Sequence, residues 1–265
     1  MLGTVLQSVV YVIAALGSPD TSLPAYAHND YQNARPLFEA IELGFRGVEV
    51  DYFLIDGELR VGHERGETER GRTVETLYLE PLRSYIRTHG RVLPGADPFI
   101  LNIESKESGN ETYKALHELL SRYEDILTVV RAGEVRDGPV QVILVGWHPP
   151  LEVLQARETR YVAVQAHYKT LPTNHAEYPS HLLKLISQNY NEKLLLRGPG
   201  VLSPRFRRRL DGMAAAASVV PGRLTRVYGV PTNADVYGAL LDAGVDLIGT
   251  KDIRGAAAVL GPDKP

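Results

Sequence analysis

The chain has 265 residues, 44% of them hydrophobic, which is enough to bury one large core. The formal net charge of −3 gives no basic footprint for nucleic acid. The absence of cysteine excludes disulfides, thiolate metal sites and cysteine nucleophiles. Any metal must therefore be held by carboxylates and histidines, a set that suits hard cations such as Mg²⁺ or Ca²⁺.

The first 22 residues are interpreted either as a signal segment or as an N-terminal helix. Residues 1–17 are apolar but short for a membrane span, so no transmembrane span is expected. Small residues at positions 15–18 resemble a cleavage region, although the first basic residue is Arg35 and a basic start is missing. The signal interpretation predicts secretion, whereas the alternative is a helix packed across the bottom of a barrel. Residues 23–258 are then predicted to form the folded domain and residues 259–265 a tail.

Short β-rich runs alternate with helical stretches, each bounded by glycine, proline or polar clusters. Strands are predicted over residues 25–27, 47–53, 99–103, 140–145, 161–164, 193–196, 224–230 and 246–250. Helices are predicted over residues 36–43, 73–89, 111–123 and 235–243. This alternation favours an α/β fold, a single (β/α)8 TIM-type barrel. A doubly wound sheet is the alternative, but no glycine-rich nucleotide loop follows the first strand.

The second predicted strand carries two carboxylates, Glu49 and Asp51. Successive strand side chains alternate faces, so both carboxylates point one way while Val48 and Val50 point the other. Two ionised carboxylates side by side repel each other and are costly to bury unpaired. A divalent cation would remove that cost, and a salt bridge to an arginine would also remove it, so the pair alone leaves both readings open.

Further polar residues are expected at the strand ends, where barrel enzymes gather their catalytic groups. The turn signal at residues 56–57 predicts a hairpin that returns His63 towards the second strand, near His28 after the first strand. The next barrel strand ends with Glu104 and Lys106 on one face. Glu104 can complete a three-carboxylate metal site, and Lys106 can hold a phosphate oxygen. An ordinary surface ion pair between the two is the alternative.

The order of these motifs resembles the glycerophosphodiester phosphodiesterase and phosphatidylinositol phospholipase C-like superfamily. The order runs from His-Asn at residues 28–29, through Glu-x-Asp at 49–51 and Gly-His-Glu at 62–64, to Glu-x-Lys at 104–106. Residues 28–31, 61–64 and 72–82 are similar to a subgroup that includes the fungal altered inheritance of mitochondria protein 6 and related bacterial proteins. The resemblance spans roughly residues 25–252.

The resemblance implies a role for each matching residue. His28 and His63 match two catalytic histidines, and Lys106 matches a contact to the substrate phosphate. The implied ligands of one divalent metal ion are Glu49, Asp51 and Glu104. The typical diesterase has an arginine after the first histidine, where this chain has Asn29, which we place at the substrate. That change removes a bidentate phosphate donor and bears on which diester is the substrate.

Trp147 and Tyr228 follow or end predicted strands, and both are candidates for the substrate site. A packing role would explain either residue equally well. No amphipathic basic helix marks a membrane-docking surface, so a lipid substrate follows from the resemblance alone. The sequence does not indicate an oligomeric state.

The expected function is a metal-dependent phosphoric diester hydrolase that uses His/His acid–base catalysis. The expected substrate is a glycerophosphodiester or a phospholipid-like diester, meaning a small molecule or a lipid headgroup. The alternative is a non-catalytic barrel that binds a phospholipid headgroup or another phosphate-containing ligand. Metal-dependent barrels that hydrolyse phosphomonoesters or amides usually carry a His-x-His pair, and none occurs in this sequence.

Overall fold

The computed structural model describes residues 22–95, 98–190 and 202–261. The predicted signal segment or helix before Ser22 and the predicted strand at 193–196 lie outside these residues, as does the chain after Gly261. The described strands are β1 (Leu23–Ala27), β2 (Phe45–Ile55), β3 (Glu58–Val61), β4 (Phe99–Ser105), β5 (Val129–Arg131), β6 (Glu134–Arg136), β7 (Val140–Gly146), β8 (Thr159–Arg160), β9 (Val162–His167), β10 (Leu183–Asn189), β11 (Leu224–Tyr228) and β12 (Leu247–Thr250). The described α-helices are α1 (Phe38–Glu42), α2 (Glu80–His89), α3 (Asn110–Ser121), α4 (Leu151–Gln155), α5 (Pro204–Ser218), α6 (Ala234–Asp242) and α7 (Ile253–Leu260).

Parallel strands close into a barrel because β1 pairs with both β2 and β12. Around the barrel the order is β1, β2, β4, β7, β9, β10, β11 and β12. Strand β3 lies antiparallel to the far end of β2, outside the ring. Strands β5, β6 and β8 form a small separate antiparallel sheet. The predicted (β/α)8 TIM-type barrel is therefore confirmed.

The sixth strand of the barrel is β10, which the sequence prediction missed. The barrel closes with β10 between β9 and β11, without the strand predicted at 193–196. Residues 168–182 between β9 and β10 hold only two 3₁₀ turns, at Tyr168–Thr170 and His175–Glu177. Because no α-helix separates these two strands, the regular β-then-α spacing fails at this point.

The barrel interior is apolar towards the N-terminal ends of the strands. Six inward side chains form one buried cluster there: Tyr26, Ile100, Ile143, Ala163, Leu185 and Leu247. Glycine is required at two places where strands and rings come close. A Cβ on Gly47 would overlap the carbonyl oxygen of Ile100, and one on Gly249 would overlap the ring of Tyr26. The polar inward residues are left at the opposite end, which becomes the mouth of the barrel.

The outward faces of the strands pack under the helices. The side chains between the strands and the helices form a second, larger hydrophobic cluster. Val48 and Val50 are fully buried in it, as the alternation on β2 predicts. Polar side chains cap several helices; for example, Asn233 accepts the backbone N–H of Val236 at 2.9 Å at the start of α6. Among the described residues, no helix is both long enough and apolar enough to cross a bilayer.

Candidate active site

Three carboxylates converge at the mouth of the barrel. Glu49 and Asp51 project inward from β2, and the parallel pairing of β2 with β4 places Asp51 beside Glu104. One oxygen from each carboxylate lies within 4.8 Å of the others. Glu49 and Asp51 are 2% and 1% exposed, so water cannot compensate their charges. This acidic triad, Glu49, Asp51 and Glu104, therefore needs cations nearby.

Asp51 has hydrogen-bond and ion-pair partners on one oxygen only. Its Oδ2 accepts the hydroxyl of Tyr31 at 2.9 Å and lies 3.5 Å from Nζ of Lys106. Its Oδ1 is buried and has no hydrogen-bond partner among the residues that the structure describes. Burial raises the pKa of Asp51, and Glu49 adds to that effect. A buried carboxylate oxygen without a partner is costly, so Oδ1 is suited to ligate a cation.

Lys106 bridges two members of the acidic triad from the end of β4. Its Nζ lies 3.4 Å from Oε1 of Glu104 as well as 3.5 Å from Asp51. Burial opposes the ammonium form, but Asp51 and Glu104 outweigh it and raise the pKa of Lys106. Burial also raises the pKa of Glu104. Lys106 therefore remains charged and offsets one of the three negative charges.

Arg226 compensates the acidic triad from the opposite wall of the barrel. This arginine on β11 is 1% exposed, and its Nη2 donates to Oε2 of Glu49 at 2.8 Å. Its Nη1 donates to Oε1 of Gln165 at 2.5 Å, and its Nε donates to the hydroxyl of Tyr26. Of the two readings of the carboxylate pair, the arginine salt bridge is present. The salt bridge does not exclude the metal interpretation, because among the described residues only Lys106 and Arg226 form lysine or arginine ion pairs with the three carboxylates.

The acidic triad fits one hard divalent cation. The donor set consists of carboxylate oxygens, which Mg²⁺ and Ca²⁺ prefer. The unpartnered Oδ1 of Asp51 and the one uncompensated negative charge both favour such an ion.

His28 lies beside the acidic triad at the end of β1. Its Nδ1 is 3.7 Å from Oε2 of Glu49, and its side chain is 21% exposed. Burial lowers the pKa of His28, although Glu49 opposes this effect. The neutral imidazole is therefore favoured near neutral pH, and it can accept a proton.

His63 reaches the same rim through the predicted hairpin. Asp56 and Gly57 turn the chain with φ of 52° and 79°, the positive values that a tight hairpin turn requires. The backbone N–H of Gly62 then donates to the carbonyl oxygen of Asp51 at 3.2 Å. The His63 side chain is 46% exposed, with Nδ1 3.5 Å from Oε1 of Glu64. His63 is therefore more exposed to solvent than His28, and it is close enough to Asp51 to act on its charge.

A cavity of about 680 Å³ opens above the acidic triad. His28, Glu49 and Glu104 form one side of it, and Arg226 and Tyr228 lie at another. His148 and His167, which follow or end β7 and β9, form part of the rim. The volume lies within the range of roughly 300–1,000 Å³ that small-molecule sites have. The cavity can therefore take a small molecule.

The predicted substrate contacts occupy different surroundings. Tyr228 lines the cavity, whereas Trp147 packs against the large hydrophobic cluster and its neighbour His148 lines the cavity instead. Asn29 is 4% exposed and takes a φ of 52° as the chain leaves β1. Substrate contacts by Asn29, Lys106, Trp147 and Tyr228 stay predictions, as do the roles of the histidines and of the acidic triad.

Sequence reasoning missed Arg226, Gln165 and Tyr31, which all contact this site. A signal for Arg226 was available, since it precedes Tyr228 by two positions on a predicted strand and therefore shares its inward face. Tyr31 stands directly after the His-Asn-Asp stretch at residues 28–30. Nothing local to Gln165 distinguishes it from a surface glutamine.

Residues 20–164 match the family described as AIM6-like phosphodiesterase domain. The chain is 27% identical over 162 residues to an altered inheritance of mitochondria protein 6 homolog from Arthroderma benhamiae, covering 52% of each protein. It is 24% identical over 260 residues to altered inheritance of mitochondria protein 6 from Eremothecium gossypii, covering 86% of this chain and 67% of that protein. The chain thus spans about half to two thirds of these relatives' lengths. A solved structure from Aquifex aeolicus VF5 is similar in fold, with a TM-score of 0.52, 10% identity and 90% of each chain covered.

Proposed function

Because the chain belongs to the AIM6-like phosphodiesterase domain family, we propose that it hydrolyses phosphoric diesters with two histidines and one divalent cation. The acidic triad carries this proposal, because it lies beneath a cavity of suitable size with His28 3.7 Å from Glu49. The matched residues 20–164 contain both histidines, the triad and Lys106. The proposed substrate is a glycerophosphodiester or a phospholipid headgroup diester.

Glu49, Asp51 and Glu104 would hold Mg²⁺ or Ca²⁺ in this proposal. A bound cation supplies a positive charge that stabilises the negative charge developing on a phosphate oxygen. Lys106 would contact a second phosphate oxygen, since its ammonium already lies at the edge of the triad. Tyr31 would hold Asp51 through Oδ2 so that Oδ1 stays directed at the cation.

His28 would act as the general base, because its lowered pKa keeps the ring neutral at pH 7. It would take the proton of the attacking hydroxyl, and Glu49 would stabilise the imidazolium that forms. His63 would protonate the leaving alcohol from the exposed rim. The attacking hydroxyl belongs either to water or to the substrate, and both require a base at the position of His28.

One observation favours a second candidate, a barrel that binds a phosphate-containing ligand without turnover. The Arg226–Glu49 salt bridge compensates part of the acidic triad and makes the site less dependent on a metal. A phosphate group could then bind to Lys106 and the histidines alone.

Hydrolysis of bis(p-nitrophenyl) phosphate, with and without EDTA, separates the two candidates. We expect diester cleavage that EDTA abolishes, and a loss of roughly 10²–10⁴-fold in His28→Ala. Glu49→Ala should lose turnover and cation binding together.

His117→Ala, on α3 and away from the cavity, is the matched histidine control and should retain activity. Activity that survives in both His28→Ala and Glu49→Ala would place the site elsewhere. Phosphate binding without cleavage of any tested diester would favour the second candidate.

A further inference from the structure

Arg226 is held inside the barrel by three separate strands. It donates to Tyr26 on β1, to Glu49 on β2 and to Gln165 on β9. Its guanidinium carbon also lies 4.0 Å from the ring centroid of Tyr26 and 5.2 Å from that of Tyr228. Each of its three nitrogens is therefore engaged, and these hydrogen bonds fix the orientation of the side chain.

The two cations beside the acidic triad differ in mobility. The Lys106 side chain is 21% exposed and flexible, so its ammonium can turn towards a bound phosphate. Arg226 is 1% exposed and fixed, so its charge stays beside Glu49 whatever is bound above. The triad and Lys106 alone would leave two negative charges uncompensated. With Arg226 present, one negative charge of the triad remains uncompensated. The triad is buried, so the charges there interact strongly.

We propose that Arg226 is a positioning residue and the permanent counter-cation of the acidic triad. Arg226 stabilises the barrel when no divalent ion is bound, and it lowers the affinity of the triad for that ion. The inference rests on the proposed function only in taking the triad as the cation site. Arg226 fixes Glu49 by a hydrogen bond and reduces the repulsion among the carboxylates. The same positive charge repels an incoming divalent cation, so binding is weaker and exchange is faster than at an uncompensated triad.

Arg226→Met tests this inference, because methionine fills part of the same space without charge. Isothermal titration with Mg²⁺ and with Ca²⁺ at pH 8 should show an affinity increased by roughly tenfold or more over the parent. The melting temperature without cation should fall below that of the parent. The rise in melting temperature on adding cation should be larger than in the parent, since the ion then replaces the missing charge.

Arg226→Lys separates charge from geometry. Lysine keeps the positive charge but cannot bind Tyr26, Glu49 and Gln165 together. Cation affinity should therefore return towards that of the parent, while kcat for bis(p-nitrophenyl) phosphate should fall below that of the parent because Glu49 is no longer held in place. A lysine variant that binds cation as tightly as Arg226→Met would contradict the charge effect.

Arg223→Met is the matched control on the same segment of chain. Arg223 is 5% exposed and donates to the carbonyl oxygens of Leu183, His175 and Tyr178, away from the triad. This control should lose stability with no change in cation affinity or in the cation-dependent rise of the melting temperature. If Arg223→Met changes cation affinity as much as Arg226→Met does, the change results from general destabilisation of the barrel. That result would overturn the inference.

The outcomes distinguish this inference from the proposed function. If the parent binds neither cation, the metal assignment and the inference both fail. If the parent binds a cation and Arg226→Met binds it equally or more weakly, the metal site stands and the inference is overturned. If Arg226→Met does not fold, Arg226→Gln takes its place with the same criteria, because its amide keeps one donor for Glu49.

Discussion

Glu49 and Asp51 are two positions apart on β2, yet their charges are compensated in different ways. Glu49 is bound by the buried Arg226, and Asp51 by Tyr31 and the partly exposed Lys106. The oxygen left unpartnered belongs to Asp51. The neighbours of each carboxylate therefore decide which oxygen is left to bind the proposed cation.

Asp30 positions the loop that carries Tyr31 to Asp51. Its Oδ2 accepts the backbone N–H of Leu37 at 2.6 Å and the hydroxyl of Tyr78 at 3.1 Å. Leu37 has a φ of 66°, a conformation that is unfavourable for a leucine and that this hydrogen bond helps to hold. Asp30 itself is fully buried, so its ionisation is coupled to folding.

Asp30→Asn should change how stability depends on pH. Burial raises the pKa of Asp30 to about 6, so the folded state binds more protons than the unfolded state between about pH 4 and pH 6. The contribution of Asp30 is therefore complete below about pH 4 and is lost as the pH rises through about 6. Urea denaturation should show the parent losing about 2 kcal/mol relative to Asp30→Asn between pH 4.5 and pH 7.5.

The control for this comparison is Asp137→Asn, which changes an exposed carboxylate. The parent and Asp137→Asn should differ by less than about 0.5 kcal/mol at both pH values, as is usual for a substitution at an exposed position. If the difference in stability between the parent and Asp30→Asn does not change between pH 4.5 and pH 7.5, the buried carboxyl of Asp30 is not the source of the pH dependence.

Strand β2 connects the inward carboxylates of the barrel with the hairpin that carries His63. Its first part lies in the barrel between β1 and β4, and its last part continues as one arm of the hairpin with β3. The inward carboxylates come from the first part, and the return of the hairpin brings His63 to the same rim. The distance from Glu104 on β4 to the two carboxylates on β2 therefore depends on how closely these two strands pack.

Gly47→Ala tests that packing. A methyl group at position 47 overlaps the carbonyl oxygen and side chain of Ile100, and backbone cannot turn aside. We expect a loss of at least about 2 kcal/mol in the free energy of unfolding, measured in urea. Gly238→Ala is the matched control, because this glycine lies within α6 with nothing within 4 Å of a Cβ. That change should stabilise the protein by about 0.5–1 kcal/mol. Equal stability of the two variants would mean that β2 and β4 can separate without cost.

The complete site exists only when the barrel is closed. The family match ends at residue 164, within β9, while Arg226 and Tyr228 come from β11 on the far side of the ring. Closure requires β12 to pair with β1, and that pairing places β11 three strands from β2 around the ring. The part of the chain beyond the family match therefore completes the wall of the cavity.

A fragment of residues 22–167, which ends with β9, should not fold cooperatively. Strands β1 and β9 would each lose a neighbour, and the interior cluster would lose Leu185 and Leu247. Thermal unfolding followed by near-ultraviolet circular dichroism should show a cooperative transition for residues 22–261 and none for the fragment. A sharp transition in the fragment would show that the first five barrel strands are stable without closure.

Local patterns in the sequence were sufficient to predict much of this protein. The alternation on β2 assigned Glu49 and Asp51 to one face and Val48 to the other, because side-chain direction in a strand depends only on position parity. The Asp-Gly pair at 56–57 predicted the hairpin, since few residues tolerate the backbone angles of that turn. The order of these motifs led to the family, which the match over residues 20–164 confirms.

Only the tertiary structure decided which cation lies beside each carboxylate. Arg226 and Glu49 are 177 residues apart and meet because the barrel closes, which no local pattern encodes. The absence of a helix before β10 concealed that strand, and the packing of Trp147 against the hydrophobic cluster depends on elements around it. Alternation and turn chemistry act between neighbours in sequence, whereas burial and charge compensation depend on groups that only the closed barrel brings together.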